Sequence, residues 1–188
     1  MASEVWMLGW RRVDEGHGHS MARVERLETG WLCDAAEVLI EAQETSACSF
    51  TIRLDQHWMT REVEVTAVST DGRKQLSLRA DEMGDWWRDG SPASDLKGCA
   101  DVDIAAAPLT NTFPISRLDG LGVSEQRSLP VAWVDVPTLQ VQRVEQTYRR
   151  LGPDRWQYSD PAHGAFQLTV DDHGFVIDYE GLASRVTP

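Results

Sequence analysis

Residues 47–55 read Ala-Cys-Ser-Phe-Thr-Ile-Arg-Leu-Asp, residues 61–68 read Arg-Glu-Val-Glu-Val-Thr-Ala-Val, and residues 73–81 read Arg-Lys-Gln-Leu-Ser-Leu-Arg-Ala-Asp. In the first, Phe50, Ile52 and Leu54 alternate with Thr51, Arg53 and Asp55. In the second, Val63 and Val65 alternate with Glu62 and Glu64. In the third, Leu76, Leu78 and Ala80 alternate with Gln75, Ser77 and Arg79. A period of two places each apolar set on one face of an extended strand. Asp71-Gly72 sits between the second and third runs, and this pair favours the positive φ of a tight hairpin. The stretch therefore predicts an antiparallel meander with one apolar face.

The same habit continues outward. Phe166, Leu168 and Val170 lead into Asp171-Asp172-His173-Gly174, and Phe175, Ile177 and Tyr179 lead out. Residues 131–136, 138–148 and 154–159 read as strands, as do 4–11, 21–28 and 31–40, for about ten in all. Residues 35–44 hold good helix formers and read either as a short helix or as a glutamate-rich strand, with the strand preferred. Residues 110–121 suit one or two helical turns, with Thr110 or Asn111 as cap and Pro114 in the first turn. Leu139 and Val141 fall out of phase with Val144 and Tyr148, which predicts a bulge near Arg143. So many antiparallel strands must hide their edges by curling. The expected fold is mainly β: a single antiparallel curled sheet, a spiral β-roll or half-barrel, with one or two short helices. No linker divides the chain, and 188 residues fit one domain spanning 1–188.

Thirty acidic against 18 basic residues give a net charge of −12. Such a balance argues against nucleic acid and anionic membrane surfaces, which demand a basic face. No apolar run reaches the ~18 residues of a membrane span, so no integral membrane segment is expected. The N-terminus shows no basic region followed by an apolar stretch, and Cys33, Cys48 and Cys99 are an odd count without CxxC spacing. Both point to a reduced, cytoplasmic setting with free thiols. Oligomeric state is not legible.

Sequence signatures of common enzymes are absent: there is no GxSxG, HExxH or P-loop, and Gly120-Leu-Gly122-Val-Ser-Glu fails the dinucleotide pattern at its last position. His17-Gly18-His19 reads as a polar loop, and neither a metal nor a cofactor is expected. Asp101 and Asp103 lie two apart, so a strand would place them on one face, roughly 7 Å from each other. Same-face carboxylates serve acid–base chemistry or hold an arginine.

Residues 98–118 carry the most information: Gly-Cys-Ala-Asp-Val-Asp-Ile-Ala-Ala-Ala-Pro-Leu-Thr-Asn-Thr-Phe-Pro-Ile-Ser-Arg-Leu. Val102 and Ile104 against Asp101 and Asp103 make a half-buried strand. Pro108 and Pro114 then bracket Thr110-Asn111-Thr112, whose side chains can fix a turn without a ladder. The segment reads either as a structural corner or as a polar row facing a cavity, with Arg117 its full positive charge.

This run, GCxDVDI…P.TNT.PI.RL, resembles the bacterial family described as "putative glycolipid-binding" proteins. Other parts agree in order: Ile52 to Val65 resembles the family's Asp-Trp-Thr-Arg strand pair, Gly84-Asp85-Trp86 its Gly-x-Trp, and Pro137 to Val141, Gln146-Thr-Tyr148 and Val170 to Tyr179 its second half. The resemblance covers about residues 5–182. The chain departs from the pattern at Gly18-His19-Ser20, where relatives tend to carry Gly-x-Glu, and at Asp34-Ala35, where they tend to carry glycine. The resemblance implies a spiral β-roll around a central space and a small amphipathic ligand such as a glycolipid.

Eight tryptophans suit a saccharide or lipid surface as well as a core. Trp6 and Trp10 share a strand face, one of Trp86 and Trp87 points outward, and Trp58, among Arg53, Asp55, Thr60 and Arg61, is the best pocket candidate. If the polar face of 49–55 lines the interior, Arg53 and Asp55 need buried partners. The candidate ligand-binding set is thus Arg53, Asp55, Trp58, Arg61, Asp101, Asp103, Thr110, Asn111, Thr112, Arg117, Tyr148 and Tyr179. Burying a methylene contributes about 0.8 kcal/mol, so a twelve-carbon chain offers roughly 10 kcal/mol before ordering costs. The acidic composition favours a neutral sugar headgroup. The expected function is non-enzymatic binding of such a molecule. The alternatives are a hydrolase or isomerase using Asp101, Asp103 or Asp55, and a structural or partner-binding module.

Overall fold

The computed structural model describes residues 4–14, 16–41 and 44–186. The predicted meander is present. Its first half comprises β1 (Val5–Arg12), β2 (His17–Leu27), β3 (Gly30–Ile40), β4 (Thr45–Asp55), β5 (Thr60–Ser69), β6 (Gly72–Ala80), β7 (Trp86–Arg88) and β8 (Ser91–Pro92). After β9 (Asp101–Ile104) and one short helix, α1 (Thr112–Arg117), the second half comprises β10 (Gln126–Val134), β11 (Val141–Arg150), β12 (Arg155–Asp160), β13 (Gly164–Val170), β14 (Val176–Tyr179) and β15 (Ala183–Arg185). All join in one sheet ordered β8-β7-β6-β5-β4-β3-β2-β1-β15-β14-β13-β12-β11-β10-β9. Every pairing is antiparallel except that of β9 with β10.

The alternation decides which face turns inward. Phe50, Ile52 and Leu54 of β4, Val63 and Val65 of β5, and Leu76 and Leu78 of β6 are all buried, together with Leu8 and Trp10 of β1. Removing apolar surface from water stabilises by roughly 25 cal/mol per Å², so one large inward-facing side chain contributes about 1.5–3 kcal/mol. Trp10 is 1% exposed and donates its indole N–H to the Val176 carbonyl at 2.8 Å, tying the two halves across the core. Residues 35–40 continue β3, so the strand reading of 35–44 holds for that part; 41 and 44 are not strand, and 42–43 lie outside the described residues. Trp86 is buried while Trp87 lies under the Arg79 guanidinium on the outside, 4.0 Å from the ring centroid.

The sheet curls without closing into a barrel. Its β9 edge tucks beneath the start of β5: Thr60 donates its N–H to the Ala100 carbonyl at 3.2 Å, and its Oγ1 accepts from the Val102 N–H at 3.0 Å. All of Asp101–Ile104 is therefore buried, on both faces. Trp86 reinforces the overlap by donating to the Cys99 carbonyl at 3.1 Å. Gly30 sits where β3 begins against β4, at φ 146°, and an added Cβ would meet the Leu54 carbonyl oxygen at 2.0 Å. Only glycine allows that approach.

Three expectations fail: His17-Gly18-His19 opens β2 instead of forming a polar loop, β9 is buried throughout instead of half-buried, and the predicted bulge is missing. There is no bulge near Arg143: β10 and β11 pair in unbroken register from Val134↔Val141 to Gln126↔Arg149. The phase break arises because Leu139 lies in the loop before the strand, at φ 58°, so it never belonged to the ladder. The register shifts are instead at Arg53/Leu54 and Thr169/Val170.

Candidate functional site

β9 positions two carboxylates with different fates. Asp101 meets the Arg117 guanidinium of α1 in a two-pronged ion pair, Nη1 to Oδ1 at 2.7 Å and Nη2 to Oδ2 at 2.5 Å. Nη1 also donates to the Trp58 carbonyl at 3.3 Å. Burial raises the Asp101 carboxyl pKa, with Arg117 opposing, while the same pairing raises the pKa of Arg117 against its own desolvation. This planar, doubly bonded geometry is the strong form of a carboxylate–guanidinium contact.

Asp103 receives only neutral donors: Thr110 Oγ1 at 2.6 Å on one oxygen and Gln146 Nε2 at 2.5 Å on the other. The relay continues outward. Gln146 Nε2 also donates to the Tyr158 hydroxyl at 3.1 Å, and Tyr158 donates to Asp160 Oδ2 at 2.6 Å. Asp160 is capped by the Ala162 and His163 N–H groups and lies 3.0 Å from His163 Nδ1. Tyr148 donates to Asn111 Oδ1 at 3.1 Å, with Gln146 Oε1 also in reach at 3.3 Å. Burial pushes the Asp103 carboxyl up to about 6, against the hydrogen bonds from Thr110 and Gln146. It also raises Tyr148, Tyr158 and Tyr179 above their ordinary values, with the charge of Asp103 adding to the effect.

This relay backs a cavity of about 250 Å³. Its walls include the rings of Trp133, Tyr158, Phe166 and Tyr179, and Ile104 and Leu182 add apolar surface. Its polar lining comes from Asp103, Asn111, Asp160, His163 and Glu180. The volume lies below the ~300–1,000 Å³ of sites that enclose a drug-sized ligand. It suits one end of an amphiphile.

The structure thus brings Asp103, Asn111 and Tyr179 of the sequence-derived set together, with Thr110 and Tyr148 directly behind them. It separates the rest. Arg53 is on the outer face, exposed and 3.4 Å from Glu62, because the polar side of β4 is the solvent side. Asp55 caps the His57 and Met59 N–H groups and takes two bonds from Arg61, at 3.1 and 2.6 Å, so these two build a corner. Trp58, at φ 61°, stacks on Trp31 with centroids 4.0 Å apart and lines a second groove of about 400 Å³ with Trp31 and Trp156. Arg117 does not line the Asp103 cavity, contrary to its expected place in a polar row facing one, because Asp101 and the Trp58 carbonyl occupy it. Thr112 is fully buried, with no hydrogen-bond partner for its hydroxyl among the described residues.

Sequence reasoning passed over Trp133, Tyr158, Asp160, His163 and Glu37. For Tyr158 and Asp160 the signal was present: Trp156, Tyr158 and Asp160 share one face by period two, with a carboxylate ending an aromatic row. Glu37 likewise falls in phase with Cys33 and Leu39 of the inner face. It is buried, takes the Ser20 hydroxyl at 3.1 Å, and burial pushes its carboxyl up to about 8.

The profile of the family described as "Putative glycolipid-binding" matches residues 7–185. A search of curated proteins found no match. Among solved structures, the chain is similar to a DUF1089 family protein from Pseudomonas aeruginosa at a TM-score of 0.78 and 28% identity, over 99% of this chain and 93% of that one. It also shares its fold with a beta-barrel-like protein of domain DUF1849 from Brucella abortus, at a TM-score of 0.54 and 12% identity, over 97% and 93% of the two chains. No described helix is long and apolar enough to cross a membrane.

Proposed function

Because the chain belongs to the family described as "Putative glycolipid-binding", we propose that it is a non-enzymatic binding protein for a small amphipathic molecule, whose polar end enters the cavity at Asp103 and Asn111. The observation that carries this reading is the cavity itself: aromatic walls converging on a few fixed polar groups. That is the usual composition of a small-molecule site. Its size confines it to the headgroup, and the remainder of the ligand lies outside it. Three free, buried thiols suit a reducing compartment, so we place the binding there. The test is native mass spectrometry of protein purified from its own host, with extraction and identification of bound material. A bound amphiphile in stoichiometric amount supports the reading, and consistently empty protein that takes up no added amphiphile overturns it.

One observation favours a second reading. Asp103 is a carboxyl raised to about 6 that lines a cleft beside Tyr158, Asp160 and His163. Such a group can act as a general acid or base near neutral pH. Asp101, locked to Arg117, has no such freedom. Hydrolysis of chromogenic glycosides or esters by the wild type, lost in Asp103→Asn, supports this reading; no turnover by the wild type speaks against it.

A further inference from the structure

Two buried acids have no Arg, Lys or His ion pair among the described residues, Glu37 and Asp103, and of these Asp103 lines the cavity. Asp101 has Arg117. Asp160 has His163 and backbone donors. Asp103, 9% exposed, has only an alcohol and an amide, and no Arg or Lys pairs with it among the described residues. Buried charges are ordinarily paired, because the desolvation of an unpaired one is costly. No Arg or Lys lines the cavity either, while Asp160 and Glu180 add acidic side chains to it.

A second observation is independent of charge. Asn111 is 5% exposed and lines the same space. Its Oδ1 accepts from Tyr148, but its Nδ2 donates to no described residue. Tyr179, also in the wall, makes ring contacts and no hydrogen bond to a described residue. An unpaired amide on so buried a residue as Asn111 calls for an acceptor in whatever fills the cavity, and the half-buried Tyr179 hydroxyl can add a second donor.

We propose that the cavity is built for an amino-sugar headgroup, an ammonium beside hydroxyl groups, with Asp103 as the counter-charge and Asn111 Nδ2 as a donor to a neighbouring hydroxyl oxygen. This rests on the amphiphile-binding reading and names the headgroup's chemistry. The rings of Trp133, Tyr158, Phe166 and Tyr179 contribute apolar faces to the sugar's C–H surface and quadrupoles to the cation. An anionic headgroup is disfavoured, since it would meet Asp103, Asp160 and Glu180 with no Arg or Lys among the described residues of the wall.

A matched pair of probes isolates the charge: octyl β-glucopyranoside and octyl 2-amino-2-deoxy-β-glucopyranoside, titrated calorimetrically at pH 7 below micelle formation. The amino probe is expected to bind the wild type at least tenfold more tightly. That preference should vanish in Asp103→Asn and shrink in Glu180→Gln, whose exposed site does not threaten folding. Equal affinities in the wild type overturn the amino-sugar proposal while leaving amphiphile binding intact. No binding of either probe removes both. A preference that persists unchanged in folded Asp103→Asn also overturns the proposal, since Asp103 is then not the counter-charge. The wild-type comparison decides even if Asp103→Asn fails to fold.

Discussion

Arg117 of α1 clamps Asp101 of β9 through two parallel hydrogen bonds of 2.7 and 2.5 Å, and so pins the helix to the buried edge of the sheet. Asp101 is 1% exposed. Truncating the arginine leaves an uncompensated carboxylate inside the fold. Arg117→Ala should therefore lower stability by about 3–5 kcal/mol, the usual cost of breaking one side of a buried pair. Urea unfolding checks this. Asp101→Asn combined with Arg117→Met should lose less than Arg117→Ala alone, because no buried charge remains.

The sequence left two readings open for this arginine, a guanidinium facing a cavity or part of a structural corner, and the pair with Asp101 fits the corner. The motif around it was legible as important, and the strand–turn–helix order from Asp101 to Arg117 was read correctly. What the sequence left open was the pairing. Alternation tells which residues share a face, but a cation's partner depends on which element packs above it. The inward carboxylates could be listed from sequence; that Asp101 takes the arginine and Asp103 does not follows from where α1 crosses β9. The meander was legible because Phe50, Ile52 and Leu54 can be buried together on one face only. The outward place of Arg53 was the ordinary consequence of the same alternation. The tuck of β9 under β5 rests on a few single contacts, the Thr60 N–H and hydroxyl and the Trp86 indole, which follow no pattern in the chain.

Stability should fall as pH rises toward 8. The Glu37 carboxyl is raised by burial from 4.5 to about 8, so the native state holds a proton that the unfolded chain has lost over that window. A raised carboxyl contributes stability that is fully present below the unfolded value and lost as pH climbs to the folded one, with a slope up to about 1.4 kcal/mol per pH unit. Asp103, raised from 3.8 to about 6, adds to the slope in the lower part of the window. Urea midpoints measured from pH 5 to pH 9 should decline, and Glu37→Gln should flatten the part of the decline between pH 6 and 8.

Cys33, Cys48 and Cys99 are free and buried, and burial pushes Cys48 to about 12 and Cys99 to about 11, with Cys33 raised as well. The thiolate is the reactive form, so native protein should react slowly with an aromatic disulfide reagent at pH 8. Denatured protein should release all of these thiols without added reductant. Fewer would reveal a disulfide.

A polar headgroup that enters the Asp103–Asn111 cavity must perturb the groups in its wall. Nitrogen–proton NMR during titration with the octyl aminoglucoside tests it most directly, because the wall carries its own reporters. Saturable shifts are expected for the Asn111 side-chain amide and the Trp133 indole N–H, the latter assigned through Trp133→Phe, while the Trp31 and Trp58 indoles in the second groove stay in place. Shifts confined to Trp31 and Trp58, or no saturable shift at Asn111 and Trp133, would contradict it.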